Sequence, residues 1–111
     1  MPIHIIRTKA TPKQMEEMLL AHKYFIKLAV DVRERMIAGG GAMHADCEAM
    51  LLREGCEQDD IWGADWVPDL NEVEYRSFIN IRPGQQNMSA LIENEGRRQI
   101  VETIVRERLT P

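Results

Sequence analysis

The sequence predicts an α+β fold: a single antiparallel sheet of about four to five strands, with one helix after the first strand and a second at the C-terminus. Three observations carry that expectation. Several stretches alternate apolar and polar residues with the period of two that a half-buried strand requires. Two other stretches repeat apolar residues with helical period and begin with recognisable caps. The 111 residues, 44% hydrophobic and 29% charged, suit one core and are too few to divide between two, so residues 1–111 are expected to form a single domain.

Ile3, Ile5 and Ile6 form a short apolar strand that ends at Arg7-Thr8-Lys9. Thr11-Pro12-Lys13-Gln14 then combines a capping hydroxyl, a proline whose missing N–H costs nothing at a helix start, and a glutamine able to cap back. Met15, Met18, Leu19 and His22 follow at helical spacing. From Phe25 the period changes: Ile26, Leu28, Val30 and Val32 alternate with Phe25, Lys27, Ala29, Asp31 and Arg33, which reads as a strand. Gly39-Gly40-Gly41 offers a reversal, and Met43, Ala45, Cys47, Ala49 and Leu51 form a second alternating set, so the two stretches are expected to make a hairpin.

Arg53 to Asp60 reads as a polar loop and Ile61 to Val67 as a further apolar run, with Pro68-Asp69-Leu70-Asn71 turning the chain. Val73, Tyr75, Ser77, Ile79 and Ile81 then alternate with charged and polar residues as a long strand that Pro83-Gly84 stops. After the polar stretch Gln85 to Ser89, Ile92 and Asn94 start a last helix whose buried stripe is Ile100, Val101, Ile104, Val105 and Leu109.

The longest apolar run is far below the roughly 20 residues needed to cross a bilayer, and the N-terminus lacks a signal peptide's apolar segment, so a cytoplasmic protein is expected and no membrane partner. A formal charge of −4 gives no overall attraction to phosphate backbones. Arg33 with Arg35 and the Arg97-Arg98 pair are diluted by neighbouring acids, so nucleic acid is not the expected partner. Cys47 and Cys56 read as reduced thiols: Cys47 is inert on an apolar face, and Cys56 in a polar loop is the more accessible.

Three clusters could carry chemistry. In His44-Ala45-Asp46-Cys47-Glu48, strand geometry would set His44, Asp46 and Glu48 on one face as catalytic candidates, a histidine sharing a proton with a carboxylate. Their spacing of about 7 Å does not make a metal signature. Trp62 and Trp66 share a face, which favours a core or subunit contact over a stacking platform. Arg82 carries a planar fork suited to a carboxylate or phosphate, with Gln85, Asn87 and Ser89 as further ligand-binding candidates that could equally fasten their own loop.

The chain resembles, over nearly its whole length, a family of short bacterial proteins, cyanobacterial ones among them, that is catalogued as a domain of unknown function. The resemblance rests on Lys27 to Val32, Ala38 to Gly41, His44 to Glu48, Gln58 to Trp66 and Ile79 to Pro83. Arg53, Cys56 and Met88 depart from it, standing where relatives look to have an acid, a serine and an arginine. The resemblance implies no activity, cofactor or catalytic residue.

Two functions follow as expectations. The first is a cytosolic binding or regulatory module, homo-oligomeric, whose sheet face and 82–89 loop hold a small polar or anionic ligand. The second is a small hydrolase or nuclease-like enzyme using His44 with Asp46 or Glu48, with or without a metal ion, and Arg82 as anion holder. The residues identify no cofactor.

Overall fold

The computed structural model describes residues 2–111, and its architecture is the α+β arrangement expected: among the described residues, a five-stranded antiparallel sheet and three α-helices. In chain order these are β1 (His4–Ile6), α1 (Pro12–Met18), β2 (Ile26–Asp31), β3 (Met36–Gly39), α2 (His44–Arg53), β4 (Ile61–Val67), β5 (Glu72–Glu74) and α3 (Glu95–Leu109). The strands lie in the order β1-β3-β2-β4-β5, with every neighbouring pair antiparallel. No helix of the described residues is long and apolar enough to cross a membrane.

The sheet divides two cores. Ile26, Leu28 and Val30 of β2 and Trp62, Ala64 and Trp66 of β4 face α1 and α3, where they meet Met18, Val101, Ile104, Val105 and Leu109. The two indoles share a face and lie in this core, 1% and 3% exposed. On the opposite face Ala29, Ala38 and Ile61 meet Cys47 and Leu51 of α2. The small alanines let α2 approach closely.

The predicted caps form. Thr11 Oγ1 accepts from the Gln14 N–H while Gln14 Oε1 accepts from that of Thr11, closing the box at the start of α1. Asn94 Oδ1 accepts from the Arg97 N–H at the start of α3. His22 lies beyond the end of α1, its ring stacked on Phe25, and Ile100 faces outward rather than joining the buried stripe.

The hairpin expected across Gly39 to Gly41 is not formed, because residues 44–53 are helix and β2 pairs instead with 36–39. The reversal is made by Asp31, whose Oδ1 accepts from the N–H groups of Arg33 and Glu34 while its carbonyl accepts from that of Arg35, held at φ 58°. The glycines serve close approach. A Cβ on Gly40, at φ 102°, would stand 2.7 Å from the Pro2 carbonyl oxygen and 3.0 Å from the Met18 Cα.

The apparent alternation over 43–51 arises because alanine sits at both helix-compatible and strand-compatible positions. The buried residues are His44, Cys47 and Leu51, which is helical spacing, and Ala, Met and Leu are strong helix formers. The strand expected to run to Ile81 stops at Glu74, and a 3-10 turn occupies Phe78–Asn80. The reason is local. Ser77 Oγ accepts from the Ile79 N–H, and the Asn80 side chain replaces a strand along the edge of β4.

Candidate functional site

Helix α2 covers only part of its sheet face. The register sets Lys27 of β2, Asp65 of β4 and Glu74 of β5 side by side on one rung, beside the first turn of α2, whose Cys47 Sγ donates to the Lys27 carbonyl. Asp65 and Glu74 are like charges directly opposite, an arrangement that costs stability in a sheet. His44, the first residue of α2, leans over this rung and is 8% exposed.

The His44 Nε2 lies 2.7 Å from Asp65 Oδ1 and 3.2 Å from the Ala64 carbonyl oxygen. Both partners are acceptors, so Nε2 carries the proton and donates. That leaves Nδ1 as the basic nitrogen of the neutral ring, without a hydrogen-bond partner among the described residues. The arrangement is an oriented imidazole of the kind that takes or gives a proton.

Around the pair lies an open cleft of about 670 Å³ lined by Lys27, His44, Asp65, Glu74, Arg76 and Phe78, among others. Lys27, Glu74 and Arg76 make no ion pair among the described residues. Phe78 stands at the rim, 87% exposed. It is held there by the fully buried Asn80, whose Oδ1 accepts from the Gly63 N–H at 2.8 Å and whose Nδ2 donates to the carbonyls of Gly63, Tyr75 and Ala90. An exposed ring on a braced backbone loses little freedom on contact.

The remaining sequence candidates are distributed elsewhere. Because 44–53 is helical, residues two apart are rotated by about 200°, so Asp46 is turned away from His44 and Glu48, which lie one turn apart. Asp46 accepts from the Met43 N–H and caps α2. Glu48 pairs with Arg82 at 3.2 Å.

Arg82 is committed to the protein: besides Glu48, its guanidinium donates to the carbonyls of Ile79 and Gln58 and to Gln85 Oε1, and it lies over the Trp62 ring. Burial pushes its pKa down, against the opposing pull of Glu48. Gln85 donates to the Asp59 carbonyl. Asn87, 1% exposed, donates to the carbonyls of Asn80, Ser89 and Leu91. Ser89 bonds within its own turn. These residues line or support a second cavity of about 560 Å³ on the other side of Phe78, and His44 and Arg82 do not line one cavity together.

Both cysteines are free thiols. Cys56 is the more exposed of the two, as expected, yet it too is buried, at 9% against 0% for Cys47. Burial and the neighbouring Asp31 carboxylate push its pKa up to about 12, and burial pushes that of Cys47 up to about 11. Among the described residues no three His, Cys, Asp or Glu side chains gather as a metal site. The basic pairs are dispersed: Arg35 bonds Glu107, Arg33 lies 3.9 Å from Asp60, and Arg97 lies over Trp62.

Lys27, Asp65, Glu74 and Arg76 were not among the residues singled out from the sequence. One signal was present, because Asp65 interrupts the apolar run Ile61 to Val67 at a position that strand alternation turns away from the indoles.

The model of one family, described as protein of unknown function (DUF5674), matches residues 4–108, and the chain belongs to that family. No curated protein and no solved structure matches the chain.

Proposed function

We propose that this DUF5674 protein is a small binding or regulatory module, acting in the cytoplasm, that holds a small polar ligand in the sheet-face cleft beside His44. One observation carries the reading. Among the described residues Lys27, Glu74 and Arg76 make no ion pair, and they surround an imidazole that is itself held in one tautomer. Charged groups on one face that do not neutralise each other are available to a ligand, and a few convergent polar groups in a cleft are the usual form of a small-molecule site. In the 82–89 loop Arg82, Gln85 and Asn87 donate to backbone carbonyls, which leaves the groups beside His44 as the better ligand site.

The test is a proton–nitrogen correlation spectrum of the full chain titrated with a panel of inorganic phosphate, carboxylates and amino acids. Binding should move the amide signals of Lys27, His44, Asp65 and Glu74 together. If no member of the panel moves them at millimolar concentration, the reading fails. Self-association belongs to the same proposal, with exposed Phe78, Ile81 and Met88 as the apolar surface that favours it. Native mass spectrometry showing monomer alone removes that part.

The 2.7 Å contact between His44 and Asp65 favours a second reading, a small hydrolase in which Nδ1 activates a water. Ser77 does not serve as a nucleophile in it, being 4% exposed with its Oγ engaged by Ile79. Turnover of activated esters or phosphodiesters that His44→Gln abolishes supports this reading. Turnover that survives the substitution refutes it.

A further inference from the structure

We infer that the ligand of the cleft is a zwitterion, an α-amino acid with an apolar or aromatic side chain. This rests on the binding reading above and narrows it.

The charged groups around His44 are two cations, Lys27 and Arg76, and two carboxylates, Asp65 and Glu74, so the cleft has no net sign. A simple anion such as phosphate would meet Lys27 only beside Asp65, which the register sets opposite it, and Arg76 only in a cleft that Glu74 also lines. Coulombic attraction and repulsion then nearly cancel. A simple cation faces the same cancellation. A molecule carrying both signs, in contrast, gains at each end.

Asp65 is already occupied by the imidazole. Glu74, unpaired among the described residues, is therefore the acceptor for an ammonium, and Lys27 and Arg76, likewise unpaired among them, are the donors for a carboxylate. Glu74 ends β5 and Arg76 follows in an isolated bridge to Leu91, and both line the cleft. His44 lines the same cleft, and its Nδ1, without a hydrogen-bond partner among the described residues, can accept a further N–H.

Phe78 sets the side-chain class. An 87% exposed phenylalanine in a cleft that Tyr75, Ala90 and Leu91 also line offers a ring face to an apolar or aromatic group, a contact that contributes beyond its buried area.

The experiment uses the full chain and three probes of one shape: L-phenylalanine, N-acetyl-L-phenylalanine, which lacks the cation, and L-phenylalaninamide, which lacks the anion. Amide shifts at Lys27, Asp65 and Glu74 report binding. Each blocked probe should bind at least about tenfold more weakly than phenylalanine, as loss of one charge-assisted hydrogen bond requires. Glu74→Gln should remove the difference between phenylalanine and its acetyl form, and Arg76→Gln should reduce the difference from the amide. Both residues are exposed, so the variants fold.

If the acetyl form, or phosphate, binds as tightly as phenylalanine, the ligand is an anion: the zwitterion inference is overturned and the cleft remains a binding site. If phosphate, carboxylates and all three probes leave the cleft signals in place, the inference and the binding reading fall together.

Discussion

Asn80→Ala tests how the cleft is built. Gly63 lies on β4 beside the rim segment, and its N–H and C=O, which in a wider sheet would pair with a further strand, are instead satisfied by one side chain at 2.8 and 3.0 Å. The Asn80 side chain also donates to the Tyr75 and Ala90 carbonyls, so it joins β4 to both arms of the 75–91 segment. Alanine cannot replace any of these bonds, and water has no route to a residue that is fully buried. Each orphaned buried backbone group costs about 1–3 kcal/mol, so the two groups of Gly63 alone predict a loss of about 2–6 kcal/mol. Against the roughly 5–15 kcal/mol that holds a domain together, that is a severe lesion.

Urea unfolding followed by tryptophan fluorescence and far-ultraviolet circular dichroism measures it, and at typical slopes the midpoint should fall by about 2 M. Amide exchange should quicken first at Gly63 and along residues 75–80. Asn80→Asp should be no better, since a carboxylate keeps the acceptor but turns negative charge toward three carbonyl oxygens. A loss below about 1 kcal/mol for the alanine variant would refute the claim that this side chain stands in for a strand.

Gly63→Ala should destabilise by about 1–3 kcal/mol, because the new Cβ would lie 2.5 Å from the Ser77 Cβ and 2.6 Å from its Oγ; adding Ser77→Gly should recover part of the loss in a double-mutant cycle. Asp65→Leu should release the His44 ring from the tautomer that the 2.7 Å contact imposes, and nitrogen-15 chemical shifts of the imidazole should change from one protonated at Nε2 to a mixture; an unchanged tautomer would show that Asp65 does not orient it. Glu48→Gln should cost about 1–3 kcal/mol by leaving the Arg82 guanidinium without its counter-charge, read by thermal unfolding, while leaving the cleft signals of Lys27 and Asp65 in place.

The thiols should react with a disulfide reagent at pH 8 far more slowly than after unfolding, since moving Cys47 from 9.0 to about 11 lowers its thiolate about a hundredfold. A native thiol that stays neutral while the unfolded one ionises stabilises the fold fully below about pH 9, so stability should decline as pH rises from there towards about 11. Rapid labelling of the folded chain, or a flat stability between pH 8 and 10.5, contradicts the burial of these thiols.

The elements that were legible in the sequence are those whose signals are carried by residues close in the chain. Thr11 to Gln14 can only reward a helix start, and Asn94 before Val101, Ile104 and Val105 is another local pattern. Trp62, Ala64 and Trp66 alternate because β4 is covered on one face by large residues and on the other by small ones. The misread stretches are those where one pattern satisfies two periods. Met43 to Leu51 alternates and also repeats at helical spacing, and only the second set is buried. Val73 to Ile81 alternates throughout, yet Asn80 needs to turn inward to reach Gly63.

The candidate site divides in the same way. His44 could be named as the residue to watch, since histidine is the side chain that exchanges protons near neutrality. Its partner could not, because Asp65 lies 21 residues away and reaches it only when α2 crosses β4. Local composition by itself determined that this chain makes a sheet with helices at known starts and a core around its two tryptophans, since capping, alternation and side-chain size act over a few neighbouring residues. Which charged side chains gather beside His44 was decided only when the strands took their register and α2 packed across them, bringing His44 to Asp65, because pairing between distant side chains depends on distances that no stretch of sequence contains.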